Sequence, residues 1–289
     1  MLVPRGCTYT RPAQVADAVA VLVDDEEARP VAGGIALTLL LRSGFAPPGP
    51  LVDLGGLREE LGGIERTADG GLRLGALATL RDLETSALVA EQAPVLVSAL
   101  GRVASVRIRN TATIGGHLAH ADPHQDLPPV LLALDAQIEG TGPDGDFVRP
   151  LDDVLSGYYE TTLGAGELIT AVRIPPWAPG AVGGYTKTTA RTVEDWPAAG
   201  VAVSVSTEDG VVLSAAVAVG AVTDRAERRP DAEAMLVGTR PTADQLADCA
   251  EAAADGLDYA SDQFGGADYK QTVVRVSTRR LLERALIPS

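Results

Sequence analysis

The residues with most capacity for chemistry are concentrated between positions 109 and 139. A Gly-Gly pair, Gly115 and Gly116, opens a cluster that holds all three histidines of the chain and two acids: His117, His120, His124, Asp122 and Asp126. Glycine lets a ligand approach the backbone closely, and exposed backbone N–H groups bind anions. The stretch therefore predicts an anion-binding loop with a polar lining.

The histidines are spaced by three and four residues, which on a helix would place them on one face and indicate a metal site. Pro123 and the two glycines instead predict a loop, so a polar lining for a cofactor pocket is favoured over a metal site. Solvent-exposed loop histidines are the simpler alternative. We expect no bound metal.

The elements that position this cluster can be predicted from local signals. Asp126 is a good N-cap for the helix that follows, Pro128 and Pro129 suit its first turn, and an apolar run over residues 130–134 buries one face. A strand is predicted directly after it, over residues 136–139.

A second glycine pair, Gly33 and Gly34, lies between a short strand at residues 31–32 and a helix predicted over residues 35–42. This order brings backbone N–H groups and a helix N-terminus to one point, which suits a phosphate. The G-x-G-x-x-G dinucleotide fingerprint is absent, because only two adjacent glycines are present. Since the chain has seven Gly-Gly pairs, context and not the pair itself favours these two.

Composition limits the classes of protein that this chain can be. Its 289 residues are enough for two or three domains, and a net charge of −15 argues against nucleic-acid binding and against anionic membranes. No run of 18 apolar residues predicts a membrane span, and the first residues lack a secretion signal, so a cytoplasmic location is expected. Cys7 and Cys249 suggest neither a disulfide framework nor a thiolate metal site.

The order of elements predicts an α+β protein with a change of domain near a linker rich in proline and glycine at residues 175–184. Three strands and three helices are predicted beyond it, with a hairpin at Asp209-Gly210. Arg102, Arg107 and Arg109 form a basic cluster, which is either a solvated face paired with carboxylates or charge support for a phosphate.

The central stretch RNTATIGGHLAHADPHQDLPPVLLALDA resembles the second flavin-binding motif of the FAD-binding (medium) subunits of molybdenum hydroxylases, the carbon monoxide dehydrogenase and xanthine dehydrogenase family. The family pattern is close to T-I-G-G-N followed by A-x-A-D-P-x-x-D. VAGGIALTLLLRSG resembles the first motif, while GYYETTLGAGELITAVRIPP and YKQTVVRVSTRRLLERA resemble later segments. The resemblance covers essentially the whole chain, in the family's order and spacing.

The resemblance implies a fold and its domains. It implies an α+β chain in which a PCMH-type FAD-binding domain, residues 1–176, is built of two α+β subdomains at about 1–54 and 55–176. A smaller C-terminal α+β domain of the CO dehydrogenase flavoprotein type, residues 177–289, would follow.

The resemblance also implies that FAD is the cofactor, with its pyrophosphate between the two Gly-Gly motifs. Asp126 would accept a hydrogen bond from a ribityl or ribose hydroxyl, and Ile169 and Lys187 would lie near the flavin ring, where the lysine charge could stabilise reduced flavin. No side chain is expected to be catalytic. The implied cofactor-binding residues are Val31, Ala32, Gly33, Gly34, Ile35, Ala36, Leu37, Val103, Thr113, Ile114, Gly115, Gly116, His117, Asp122, Asp126, Ile169 and Lys187.

The chain departs from the family pattern at three of these positions. Ile35 and Ala36 stand where the family usually has a polar residue and serine, and His117 stands where it usually has asparagine. Each hydrogen bond lost in this way costs about 1 kcal/mol. We expect FAD to bind through backbone N–H groups, more weakly than is usual in the family.

The function implied by the resemblance is electron transfer. A flavoprotein oxidoreductase subunit would pass electrons from an iron–sulfur small subunit through FAD to NAD+, oxygen or a quinone, beside a molybdopterin-binding large subunit. Two alternatives stay open: a stand-alone FAD-dependent oxidoreductase acting on a small molecule, and a non-enzymatic scaffold that has lost FAD. The substrate, the electron acceptor and the oligomeric state are not predicted.

Overall fold

The structure is a computed structural model, which describes residues 8–45 and 49–287. Its described strands form a three-stranded, a five-stranded and a four-stranded sheet and one two-stranded ribbon, with helices packed on the three larger sheets. Cys7, named in the sequence analysis, lies outside the described residues. The mixture of helices and sheets agrees with the predicted α+β class.

The first region is a small parallel sheet in the order β1-β3-β2 with two helices. Helix α1 buries residues one turn apart, Ala18 and Leu22, against the sheet. Helix α2 ends at Gly44, which adopts the left-handed conformation (φ 77°) expected from its sequence. The elements are β1 (Tyr9–Thr10), α1 (Val15–Asp24), β2 (Arg29–Val31), α2 (Ile35–Ser43) and β3 (Leu51–Asp53).

The second region is an antiparallel sheet in the order β4-β5-β10-β6-β7, entered through a 3-10 helix at Leu54–Leu57. The predicted capping box forms, because the Thr79 hydroxyl accepts the Asp82 N–H while the Asp82 carboxylate accepts the Thr79 N–H. The strands are β4 (Ile64–Arg66), β5 (Leu72–Gly75), β6 (Gln137–Gly142), β7 (Gly145–Pro150), β8 (Leu155–Gly157), β9 (Glu160–Thr161) and β10 (Leu168–Ile174). The helices are α3 (Arg58–Leu61), α4 (Leu80–Thr85), α5 (Ala87–Gln92), α6 (Pro94–Leu100), α7 (Val106–Arg109), α8 (Ile114–His120), α9 (Leu127–Ala133) and α10 (Leu151–Val154).

The loop predicted around Gly115 and Gly116 is wrong, because both glycines lie in the first turn of α8. Thr113 caps this helix by accepting the Gly116 N–H at 3.2 Å, and the buried Ile114 and Leu118 fix its inner face. Packing on the sheet therefore outweighs the low helix propensity of glycine. Two of the histidines lie on this helix, and the third follows it.

The third region is an antiparallel sheet in the order β11-β12-β13-β14 with three helices on one face. Asp209 and Gly210 form the predicted hairpin turn, with φ of 50° and 80°. One short strand, β14, exceeds the three predicted strands. The elements are β11 (Val182–Thr188), β12 (Ala199–Glu208), β13 (Val211–Gly220), β14 (Glu227–Arg228), α11 (Pro230–Ala234), α12 (Ala243–Ala254) and α13 (Ala267–Leu286).

Strands β12 and β13 are buried on both faces, which explains their nearly continuous apolar sequences. Side chains alternate between the faces of a strand. Small residues such as Ala202 and Ala218 join the core of the second region, where α9 packs on the sheet, while Val201 and Val217 join the core formed with α12 and α13. The third region is thereby attached closely to the second.

Candidate cofactor-binding site

 The two glycine motifs, Gly33-Gly34 and Gly115-Gly116, are far apart in the sequence but meet in the folded chain. Gly33 packs against the backbone that precedes α8, so that a Cβ atom at this position would overlap the carbonyl oxygen of Thr111. On the other side, a Cβ atom at Gly116 would lie 3.6 Å from the Cβ of Ala32. Glycine at position 33 is therefore what allows the two motifs to touch.

A cleft of about 190 Å³ opens where the motifs meet. It is bordered by the turn after β2, the 3-10 helix with the start of α3, and the segment before α8. The lining residues are Ala32, Gly33, Gly55, Arg58, Leu77, Asn110, Thr111 and Thr113. One arginine, three neutral polar residues and two glycines are among these residues, which suits a polar ligand.

The N-terminus of α2 supplies the backbone donors beside this cleft. Gly34 precedes the helix in the left-handed conformation (φ 69°) and provides no side-chain cap. Within the described ranges, no hydrogen-bond acceptor is found for the N–H groups of Ile35, Ala36 and Leu37. These groups and the helix dipole favour an anion.

The second motif does not offer the same donors, contrary to the expectation that both motifs cradle an anion with backbone N–H groups. The N–H of Ile114 donates to the Ala78 carbonyl at 3.0 Å, and the N–H of Gly115 donates to the Ala76 carbonyl at 2.9 Å. These bonds anchor α8 to the sheet. The second motif therefore contributes shape and side chains more than backbone donors.

A second group of predicted site residues surrounds Asp126, at the N-cap position of α9. Its carboxylate makes no capping hydrogen bond, which corrects the expected capping role. One oxygen accepts from the Tyr185 hydroxyl at 2.7 Å and the other from Lys187 Nζ at 2.9 Å. Burial raises the pKa of Asp126, although the nearby lysine and tyrosine act in the opposite direction.

Lys187 also donates to the carbonyl of Arg102 at 2.9 Å, next to the predicted site residue Val103. Its side chain is almost completely buried. The lysine charge is thus neutralised by Asp126, which weakens the electrostatic role expected for it near a reduced flavin. Ile169 is separate from this group and lies buried in β10, on which α8 packs.

Asp122 belongs to a third group, which joins the second region to the third. His124 Nε2 lies 2.9 Å from Asp262 Oδ2, its Nδ1 lies 3.5 Å from Asp122 Oδ1, and Lys270 Nζ donates to Asp262 at 2.6 Å. Burial lowers the pKa of His124, but the hydrogen bonds to Asp122 and Asp262 raise it by more, so the net shift is upward. This group is a set of paired charges.

His117 differs from its two neighbours because its ring nitrogen Nε2 is buried without a hydrogen-bond partner in the described part of the chain. Burial, together with the charge of His120, lowers the pKa of His117 to about 4. Gln125 donates from Nε2 to the His117 carbonyl at 2.7 Å, and its own Oε1 is likewise buried and unpartnered there. Both atoms are therefore buried polar groups whose hydrogen-bonding capacity is unused among the described residues.

Sequence reasoning did not include five residues that line the cleft, namely Gly55, Arg58, Leu77, Asn110 and Thr111. Asn110 and Thr111 immediately precede the second motif and could have been included with it. Arg58 has no motif around it and is found only from the fold. By contrast, Arg109 of the predicted basic cluster is nearly buried and pairs with Glu84 at 2.9 Å.

The described residues lack both a metal-binding cluster and a membrane-spanning helix. No group of three or more His, Cys, Asp or Glu side chains there could hold a metal ion. No helix over residues 8–45 and 49–287 has the length and apolar character needed to cross a membrane.

Comparison with known proteins gives the site its context. The protein-family model for the "FAD binding domain in molybdopterin dehydrogenase" matches residues 5–177. The family model for the "CO dehydrogenase flavoprotein C-terminal domain" matches residues 184–285. The chain belongs to the family of FAD-binding medium subunits of molybdenum hydroxylases.

Relatives of this medium subunit include the nicotine 6-hydroxylase medium subunit of Paenarthrobacter nicotinovorans, 35% identical over 96% of both chains. The carbon monoxide dehydrogenase medium chain of Afipia carboxidovorans is 34% identical over 98% of both. Among solved structures, carbon monoxide dehydrogenase from Hydrogenophaga pseudoflava matches with a TM-score of 0.94 and 34% identity, covering 99% of this chain and 98% of that one. The predicted family, fold class and oxidoreductase role are confirmed.

The residues of this medium subunit fit FAD, the cofactor that the family match supports. Unpaired N–H groups of α2 beside the cleft can bind an anion. In or shortly after the second motif, two buried polar atoms, His117 Nε2 and Gln125 Oε1, lack partners among the described residues. A buried polar atom without a partner costs about 1–3 kcal/mol. A polar ligand that supplies partners would remove this cost.

Proposed function

We propose that this medium subunit receives electrons from an iron–sulfur small subunit and passes them through FAD to an acceptor. A molybdopterin-binding large subunit would carry the substrate chemistry. The names of the relatives support this, since they are subunits of larger oxidoreductase complexes. The chain has only two cysteines, whereas an iron–sulfur cluster needs about four thiolates, so the cluster would belong to a partner.

The meeting of the two glycine motifs at one cleft is the observation that carries the proposal. FAD bound there would supply the redox chemistry, while the protein binds and orients it and excludes water. The predicted set of cofactor-binding residues is proposed unchanged for the two motifs, from Val31 to Leu37 and from Thr113 to His117. For Val103, Asp122, Asp126, Ile169 and Lys187 we propose support of the flavin end, with Asp126 and Lys187 acting as a neutral pair.

The domain boundaries also remain a proposal: a FAD-binding domain over residues 1–176, with subdomains at about 1–54 and 55–176, and a C-terminal domain over residues 177–289. The separate sheets on either side of these boundaries support it. A cytoplasmic location stays a prediction.

The visible absorption spectrum of the purified chain, before and after incubation with FAD, tests the proposal. Flavin bands close to stoichiometric with the protein are expected. A spectrum that stays empty after FAD is added would contradict flavin binding and favour the scaffold alternative.

A second measurement separates the subunit from a stand-alone flavoenzyme. The chain loaded with FAD should not turn over small-molecule substrates alone, but should mediate electron transfer once the iron–sulfur and molybdopterin subunits are added. Turnover by the isolated chain at the rate of the full complex would favour the stand-alone enzyme.

A further inference from the structure

The cleft between the glycine motifs contains a single charged side chain. Of its eight lining residues, only Arg58 carries a charge, and the others are apolar, glycine or neutral polar residues. The chain as a whole has a net charge of −15, so an anion approaching this cleft depends on local positive charge. Arg58 provides it.

Arg58 is held in place from one side. Its Nη2 donates to Asp82 Oδ2 at 2.9 Å, and the same carboxylate oxygen accepts the N–H of Thr79 in the capping box of α4. The carboxylate is therefore fixed by the backbone of α4. Among the described residues, Asp82 is the only hydrogen-bond partner of the Arg58 guanidinium, which leaves most of its five N–H donors for a ligand.

The chemistry around Arg58 suits a diphosphate. Gly33, Asn110 and Thr111 line the same cleft as Arg58. Gly33 comes shortly before the first N–H groups of α2, which have no acceptor among the described residues. A guanidinium binds phosphate oxygens in pairs, and helix N-termini bind the remaining oxygens. The Arg58 guanidinium and the neutral N–H groups of α2 can therefore bind different oxygens of the same diphosphate.

We propose that Arg58, oriented by Asp82, binds the diphosphate of FAD in the cleft between Gly33 and Thr111. This rests on the proposed function, because it presumes that the chain binds FAD. It makes Arg58 the residue that favours FAD over flavins without phosphate.

The test is a titration of the full chain, freed of flavin, with FAD and separately with riboflavin, followed by flavin fluorescence. The variants are Arg58→Gln, the conservative Arg58→Lys, and Arg66→Gln as a matched control. Arg66 is a half-exposed arginine that also pairs with one carboxylate, Glu91, and does not line the cleft.

Arg58→Gln should weaken FAD binding about tenfold, with a smaller loss for Arg58→Lys and no change beyond twofold for Arg66→Gln. Riboflavin binding should be equal in all proteins, and FAD binding by the wild type should lose more affinity with added salt than binding by Arg58→Gln.

Equal FAD affinity in Arg58→Gln and the wild type would overturn the role of Arg58 while leaving the proposed function intact. An equal loss of FAD and riboflavin binding would also overturn it, because the effect would not depend on phosphate. Absence of FAD binding by the wild type would instead refute the proposed function, and this inference with it.

Discussion

Asp126 and Lys187 form an ion pair of 2.9 Å between the second and third regions of the protein, and their side chains are only 6% and 1% exposed. The pair is completed by the Tyr185 hydroxyl on the acid and the Arg102 carbonyl on the lysine. Each of these hydrogen bonds satisfies a polar group of Asp126 or Lys187 that is buried away from water. The pair therefore fixes how the third region sits beside the predicted flavin site.

Replacing Lys187 by methionine should destabilise the protein strongly. The substitution leaves the Asp126 carboxylate buried without its cation, which costs about 3–5 kcal/mol in the free energy of unfolding. The double variant Asp126→Asn with Lys187→Met should recover part of this loss, because no charge is left unpaired. Urea unfolding of the single and double variants measures both effects.

The exposed pair between Arg275 and Glu251 is the matched control. Arg275→Met should change the free energy of unfolding by at most about 1 kcal/mol, since solvent screens such a pair. A Lys187→Met variant no less stable than Arg275→Met would show that the buried pair does not hold the regions together.

His124 should make the protein less stable at alkaline pH. Its pKa in the folded chain lies above the ordinary 6.5, owing to Asp122 and Asp262, so its stabilising effect is complete below about pH 6.5. This effect is lost as pH rises through the folded pKa, at a slope of at most about 1.4 kcal/mol per pH unit. Urea unfolding at several pH values measures the decline.

His124→Gln should remove this alkaline decline, because glutamine does not titrate. His120→Gln is the control and should keep it, since burial lowers the pKa of His120 and places its effect on the acid side. An alkaline decline of the same size in His124→Gln would assign it to another group.

His117 should have the opposite pH dependence. Burial lowers its folded pKa to about 4, so its stabilising effect is present above about pH 6.5 and is lost as pH falls toward 4. His117→Asn should therefore be less sensitive to acid than the wild type between these pH values. Thermal unfolding over this range checks it, and an unchanged acid sensitivity would argue that His117 is not buried in its neutral form.

Gly33→Ala should weaken FAD binding and lower the thermal unfolding midpoint. The new methyl group would overlap the backbone carbonyl of Thr111, and forcing atoms into such a contact costs about 1–3 kcal/mol. Gly101→Ala is the control, because the nearest atom to its Cβ would be 3.8 Å away and its φ of −60° suits alanine. Equal effects of the two substitutions would contradict the close approach at Gly33.

Much of the local structure could be predicted from the sequence, because its signals act within a few residues. The helix stop at Gly44, the capping box at Thr79 and the hairpin at Asp209-Gly210 each depend on a glycine, a hydroxyl or an acid next to the backbone group that it serves. The resemblance to the family added the pairing of the two glycine motifs, which no local signal provides.

The glycine motifs, the succession of elements and the acidic character of the chain follow from the amino-acid sequence alone. Tertiary structure decided that Gly115 and Gly116 start a helix, because Ile114 and Leu118 are buried on the sheet. It also decided that Arg58 faces the cleft and that Asp126 pairs with a lysine 61 residues away. These features depend on contacts between distant segments, whose burial and charge pairing exist only once the chain has folded.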